Sequence, residues 1–357
     1  MQIDSRNAVG ANALGLHSTV RFRRGYRAVA MLMMISACTM VCVAPATIAA
    51  ARPRTKAKVK GTTPSRPPTS TDSAPGGSSA TQLGGCAVFP ADNAWNQDIS
   101  RLAVRAESAR WLRSVNGAKG ESLHPDFGAD PGYGIPYLIV PAAQRPMPVH
   151  FDEYPDESDP GPYPIPLNAP IEQGGDHHVI VVQQGSCQLY ELYHARPGSD
   201  RWTAGSGATF DLRTNGSRPK GWTSADAAGL PIFPGLVRYD EVRTGVISHA
   251  LRVTFPATQR AFVAPASHFA GKADPALPPM GARIRLRADF DVSRVTGDAL
   301  VIVKAMQQYG LIVADNGSAW FVSGATDNRW NDDDLGQLKT IPGTAFEFVD
   351  SGPIENG

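Results

Sequence analysis

Apolar runs in this chain are short, and proline or glycine closes almost every one; the sequence holds 30 prolines and 35 glycines. A run of four to six apolar residues ended by a residue that lacks an N–H, or that tolerates a left-handed backbone, reads as a strand. Residues 137–140 (YLIV), set between Pro136 and Pro141, are the clearest case, and 147–151, 205–216, 260–268 and 346–349 repeat the pattern. Helical periodicity is confined to two long stretches. In 107–116, Ala109, Leu112 and Val115 form a stripe around Trp111; in 297–309, Leu300, Val303, Met306 and Gln307 share one side. Many short strands and two helices predict an all-β or β-rich α+β domain: a single jelly-roll-like β-sandwich with two peripheral helices. The alternation of strand and long helix that a parallel α/β sheet needs is missing, and no period of 20–50 residues repeats.

Not all 357 residues belong to that domain. Residues 1–51 read as a secretion signal: a basic stretch at 21–27, an apolar one at 28–43, then small residues through Ala51. Ile35-Ser36-Ala37-Cys38 offers a competing reading, a lipoprotein signal with Cys38 lipidated, but the residues after Cys38 stay mostly apolar, which favours simple secretion. Residues 52–85 form a linker rich in Pro, Ser, Thr and Gly, without an aromatic residue and so without a core. Residues 86–351 are then one β-rich catalytic domain, and 352–357 a tail. The chain is +1 overall, yet residues 1–85 hold 11 of its 34 Lys+Arg and 2 of its 33 Asp+Glu. The remaining 23 basic and 31 acidic residues give the domain a net charge of −8. Nucleic-acid binding wants a basic face, so that function is excluded. Cys86 and Cys187 are the pair left after the signal, and an exported protein would join them in a disulfide.

The densest chemistry lies at 218–254 (RPKGWTSADAAGLPIFPGLVRYDEVRTGVISHALRVT). A capped turn is expected over 224–229 and a second short helix over 236–242, carrying Arg238 and Glu241. A strand is expected over 247–255, with Ile247, His249, Leu251 and Val253 on one face and Arg252 on the other. Residues 174–195 predict a hairpin whose second strand places Leu189, Glu191 and Tyr193 on one face. Residues 283–287 predict a strand with Arg283, Arg285 and Arg287 turned outward. Asn316-Gly317 between apolar runs predicts another hairpin over 311–324.

The phrases DHHVIVV, CQLYELYHA, RPKGWTSADAAGLPIFPGLVRYDEV, SHALRVT, PPMGARIRLR and YGLIVADNGSAWFVSG resemble those of a group of exported bacterial and fungal proteins of unassigned function. The resemblance runs over nearly all of 86–350 and implies an exported single domain. That family's pattern near Asp176 reads Asp-Arg-His; this chain has His177 at the middle position, which favours Asp176 and His178 over His177 as functional residues.

Burial on an apolar strand face would raise the pKa of Glu191 and suit a general acid, and Asp226 or Asp240 would serve as nucleophile or base. The expected activity is therefore that of an exported carbohydrate-active enzyme, favouring a glycoside hydrolase on an extracellular polysaccharide. A polysaccharide lyase is the alternative, with Arg218 or Arg252 neutralising a uronic acid and His178 or His249 moving protons with Tyr239. A non-catalytic glycan-binding envelope protein is the other. Asp176, Trp222, Arg238 and His268 complete the expected substrate-binding set, and Trp202, Trp320 and Trp330 are weighed as stacking platforms against core packing. Asp176, His178 and His268 are weighed as a metal site and the acidic loop 152–166 as a calcium site. The favoured reading uses neither metal nor cofactor, since no Cys/His finger spacing, EF-hand loop, P-loop, dinucleotide fingerprint or Gly-x-Ser-x-Gly elbow occurs. A monomer without a membrane span is expected.

Overall fold

The computed structural model describes residues 82–116 and 120–356. The expected signal, its Cys38 alternative and residues 52–81 of the linker lie outside the described residues. Both ends of the domain are slightly longer than expected. Gln82–Leu83 pairs with Cys86–Ala87, and Glu355–Asn356, read as tail, pairs with Ala261–Phe262.

Ten strands build the two main sheets: β1 (His124–Asp126), β2 (Tyr137–Val140), β3 (Val179–Gln183), β4 (Gln188–Tyr193), β5 (Ser206–Asp211), β6 (Leu251–Phe255), β7 (Arg283–Leu286), β8 (Leu311–Asn316), β9 (Phe321–Ser323) and β10 (Phe346–Val349). The smaller sheet has the order β5-β4-β3-β2 and the larger β10-β7-β8-β6-β9-β1. The fold is β-rich, as the short runs require. Its sheets are mixed, however: β2–β3, β6–β8 and β9–β1 are parallel pairs, whereas a jelly roll is assembled from antiparallel strands. Period-2 patterning marks a strand without naming its partner, so this difference was out of reach of the sequence.

The strand β3 reads VIVV because both its faces are covered. Val179 and Val181 pack with Trp202, Tyr163 and Ile165, while Ile180 and Val182 pack on Leu230, Ile232 and Phe233, which lie between the two sheets. Ile312 and Ala314 of β8 close that inner layer from the larger sheet. The opposite face of the larger sheet, with Leu251, Val253, Ile284 and Phe348, is covered by α1 (Ser108–Asn116) and α3 (Gly297–Gln308). Those are the two expected helices. α1 buries Trp111 and Val115, and α3 buries Ala299, Ile302, Val303, Ala305 and Met306, so the seam of α3 is turned from the one expected.

Three local expectations are corrected. Residues 311–324 do not form a hairpin: β8 and β9 flank β6, one on each side, joined by the turn at Asn316-Gly317. Arg283 and Arg285 are buried, because residues 94–99 cross their face and offer carbonyls. Arg283 donates to the Ala94 and Tyr309 carbonyl oxygens at 2.6 and 2.9 Å, and Arg285 to that of Ile99 at 2.6 Å. Burial pulls the Arg283 pKa down to about 10. The strand expected over 247–255 begins only at Leu251, so His249 sits in the preceding bend; the short helix is α2 (Tyr239–Thr244), and residues 224–229 form turns without a helix.

Candidate functional site

One row of side chains across the larger sheet forms the floor of the site. On β6, Leu251, Val253 and Phe255 face the helices, which turns Arg252 towards the inner layer. On the neighbouring β9, Ser323 lies beside Arg252 and accepts a hydrogen bond from its Nη1 at 2.8 Å; Ser323 in turn pairs in register with Asp126 of β1. On the other side, an irregularity in the β6–β8 ladder matters. Val253 is opposite Val313, but Thr254 is opposite Asp315, so one residue of β8 is skipped. A bulge of this kind re-aims the residues beyond it. Asp315 thereby falls on the face of Arg252 instead of the face covered by helices, and its Oδ2 lies 3.5 Å from Arg252 Nη2.

The segment between the sheets supplies the second carboxylate. Asp226 Oδ2 accepts from Arg252 Nε at 2.7 Å, and its Oδ1 accepts from Ala228 N–H at 3.3 Å. Ser224 holds the turn: its hydroxyl donates to the Leu230 carbonyl oxygen at 2.6 Å and accepts from Asp226 N–H at 2.9 Å. From the smaller sheet, His178 stands just before β3. Its Nδ1 is 2.6 Å from Glu172 Oε2 and its Nε2 3.0 Å from the Ala225 carbonyl oxygen.

These residues wall two adjoining hollows of about 260 and 220 Å³ that share Asp176, Asp315 and Asn316. The first is also lined by Asp226, Tyr154, Thr223 and His268, the second by Asp126, Glu172, His178 and Arg252. Burial, then the charge of Asp226, pushes Asp315 up to about 7. Burial raises Asp226 as well, against the pull of Arg252. Asp126 is raised by burial and by Glu172. Five carboxyl groups, Asp126, Glu172, Asp176, Asp226 and Asp315, thus line the hollows with Arg252 and His178. Like charges in one site cannot all ionise, and Asp315, whose contact with Arg252 is the longer, keeps a proton near neutral pH. His268 Nδ1 donates to the Ala227 carbonyl oxygen at 2.7 Å, which fixes the orientation of the ring.

The structure brings Asp176, His178, Asp226, Arg252 and His268 together from the sequence-derived set, and separates the others. Glu191 does not fit the role of cleft acid. It has no exposed surface, and its carboxyl accepts from Ile232 N–H and Phe233 N–H at 2.9–3.0 Å. It anchors the segment 232–233 against β4; burial still pushes its pKa up to about 7. Asp240 is on the surface, 2.8 Å from Arg329 Nη1. His249 is enclosed in a buried cluster with Arg238 and Glu241, where Arg238 and Glu241 make a short ion pair and His249 Nε2 lies 3.1 Å from Glu241 Oε2. There burial raises the Glu241 pKa, and Arg238 and His249 overcome it to give about 2. Arg238 also donates to the Phe233 carbonyl oxygen at 2.7 Å, so this cluster clamps the inner segment.

Arg218 is likewise occupied, donating to the Thr223 carbonyl oxygen, Asp159 and the Glu157 carbonyl oxygen, each at 2.6 Å, and standing over the Trp222 ring. Tyr239 packs edge-on against Trp330 beneath Arg329. Trp202, Trp320 and Trp330 are core residues. Cys86 and Cys187 are joined in a disulfide. Among the described residues no group of three or more His, Cys, Asp or Glu is placed to hold a metal ion, and no helix is long and apolar enough to cross a membrane.

Sequence reasoning passed over Asp126, Glu172, Asp315 and Ser323. Asp126 and Ser323 close β1 and β9, Asp315 is next to last in β8 and Glu172 lies in the loop before β3, positions where a polar residue reads as turn chemistry. The usable signal was the carboxylate closing an apolar run, as in LIVAD at 311–315. Compared with known proteins, the chain matches no family model, no curated protein and no solved structure.

Proposed function

We propose that the domain is an exported carbohydrate-active enzyme that cleaves an extracellular polysaccharide by acid/base catalysis, as a glycoside hydrolase. The observation that carries this reading is the Asp226–Asp315 pair on one guanidinium at the wall of an open cleft. Two buried carboxyl groups crowded on one guanidinium cannot both ionise freely, and a pair that shares a proton supplies one acid and one base, the working parts of glycosidic cleavage. Asp315 holds a proton near pH 7 and donates it to the leaving oxygen. Asp226, which holds the shorter contact to Arg252, is assigned the base and faces the developing positive charge or a water. His268 lines the same hollow as both carboxyl groups. The Cys86–Cys187 disulfide is compatible with an oxidising, extracytoplasmic setting.

A lyase is less well supported. It needs a cation to take up the substrate carboxylate, and Arg252 is already shared between Asp226 and Asp315, while Arg218 is tied to Asp159. An acidic cleft also repels a polyuronate. The test is incubation of the secreted protein with a polysaccharide panel, following reducing ends and the absorbance of unsaturated products. Reducing ends released by the wild type and lost in Asp315→Asn support the hydrolase; unsaturated products favour the lyase. Binding without turnover, unchanged by Asp315→Asn, leaves a glycan-binding module.

A further inference from the structure

His178 is buried, and both of its ring nitrogens meet acceptors: Glu172 Oε2 at 2.6 Å and the Ala225 carbonyl oxygen at 3.0 Å. A carbonyl oxygen only accepts, and so does an ionised carboxylate. A neutral imidazole has one N–H and satisfies one of the two. Glu172 also accepts the His178 backbone N–H at 3.1 Å, and although burial raises its pKa, the bonds and charge of His178 overcome that and hold it below the usual carboxylate range. An ionised Glu172 leaves a single assignment of hydrogens, with one on each ring nitrogen.

We infer that His178 is a positioning residue: a buried imidazolium that ties the Ala225–Asp226 turn to the edge of β3 and so fixes Asp226 on Arg252. The groups facing it agree with that state. Glu172 and Asp176 approach from its own segment, Asp226 from the inner segment, Asp315 from β8 and Glu191 from β4. Arg252 is the one cation among them, and Tyr193 brings a ring at 5.9 Å. Burial alone would lower the pKa of the ring; the Glu172 hydrogen bond and charge raise it above 6.5. A histidine with a raised folded value stabilises the fold fully below the unfolded value, and that contribution is lost as pH rises through the folded one. Loss of a ring proton leaves either Glu172 or the Ala225 carbonyl without its donor, and the turn carrying Asp226 is released. The consequence for turnover rests on Asp226 and Asp315 being the reacting pair; the protonation state does not.

The experiment uses the secreted chain labelled with 15N-histidine, the His178 signals being those absent from His178→Gln. Two ring N–H correlations at pH 6, collapsing to one at a pH above 6.5, are expected; a single ring N–H throughout overturns the inference. In Glu172→Gln the pH of that transition should shift downward, and an unmoved transition also overturns it. On whichever polymer the wild type cleaves, loss of either the Asp315 or the His178 proton ends turnover, so the alkaline limb of kcat should also move downward in Glu172→Gln, and an unmoved limb contradicts a positioning role. If no polymer is cleaved, the hydrolase reading fails while the two-proton signal still decides the state of His178.

Discussion

Glu191→Gln separates structural anchoring from acid catalysis. The Glu191 carboxyl meets two backbone N–H groups, and Ile232 N–H reaches both of its oxygens. In the Glu191→Gln protein the amide oxygen still accepts both N–H groups, so near pH 4.5 and below, where the wild-type carboxyl is protonated and close in shape, the two proteins should differ by no more than about 1 kcal/mol. Between pH 4.5 and 7 they should diverge, and above pH 7 the gap should hold constant. The folded pKa of about 7 stands against an ordinary value of 4.5, so ionising this buried group costs the wild type about 3 kcal/mol at roughly 1.4 kcal/mol per pH unit. The sign follows from which state holds the proton more tightly. Here it is the folded state, so stability falls as pH rises from 4.5 to 7, and the amide variant is spared that loss. Urea midpoints of both proteins at pH 5, 6, 7 and 8 isolate the difference, because the other titrating groups are common to both. Parallel pH profiles would refute the reasoning, and a folded Glu191→Gln protein that has lost turnover would restore Glu191 as the acid. Glu191→Ala removes the acceptor altogether; two buried N–H groups at about 1–3 kcal/mol each imply a loss of about 2–6 kcal/mol before any cavity is counted.

The remaining expectations concern turnover, a cross-link and a turn. If Asp315 is the proton donor, kcat/KM should fall as pH rises past about 7, and this limb should vanish with the activity in Asp315→Asn; a rate flat from pH 6 to 9 contradicts the assignment. The Cys86–Cys187 bond closes a separation of 101 residues, so replacing both by Ala should cost about 4–5 kcal/mol in a urea titration; a change under about 1 kcal/mol would mean the unfolded chain is already restrained. Gly229 has φ +72°, and an added Cβ would stand 2.2 Å from Ser267 Oγ and 2.6 Å from the Trp222 carbonyl oxygen. Gly229→Ala should therefore lower stability by more than about 2 kcal/mol and disturb the Asp226 turn, and an unchanged Tm would show that the turn relaxes freely.

The sequence determined the elements. Short apolar runs closed by proline and glycine fixed a β-rich domain, the tryptophan-centred period of 107–116 fixed α1, and the pair of cysteines fixed the disulfide. It also located Asp226, His178 and Arg252, since ionisable residues set among small and apolar ones must be paired or functional. Tertiary structure decided which of them meet. Strand order is long-range, so nothing local says that β6 lies between β8 and β9 in place of a hairpin. Face alternation assigns Asp315 to the helix side until the irregularity opposite Thr254 turns it to Arg252. Burial alone left Glu191 open as an acid, and only the segment folded against β4 supplied the two N–H groups that make it an anchor. Periodicity records which side of a strand is covered; the partner covering it is a property of the folded chain.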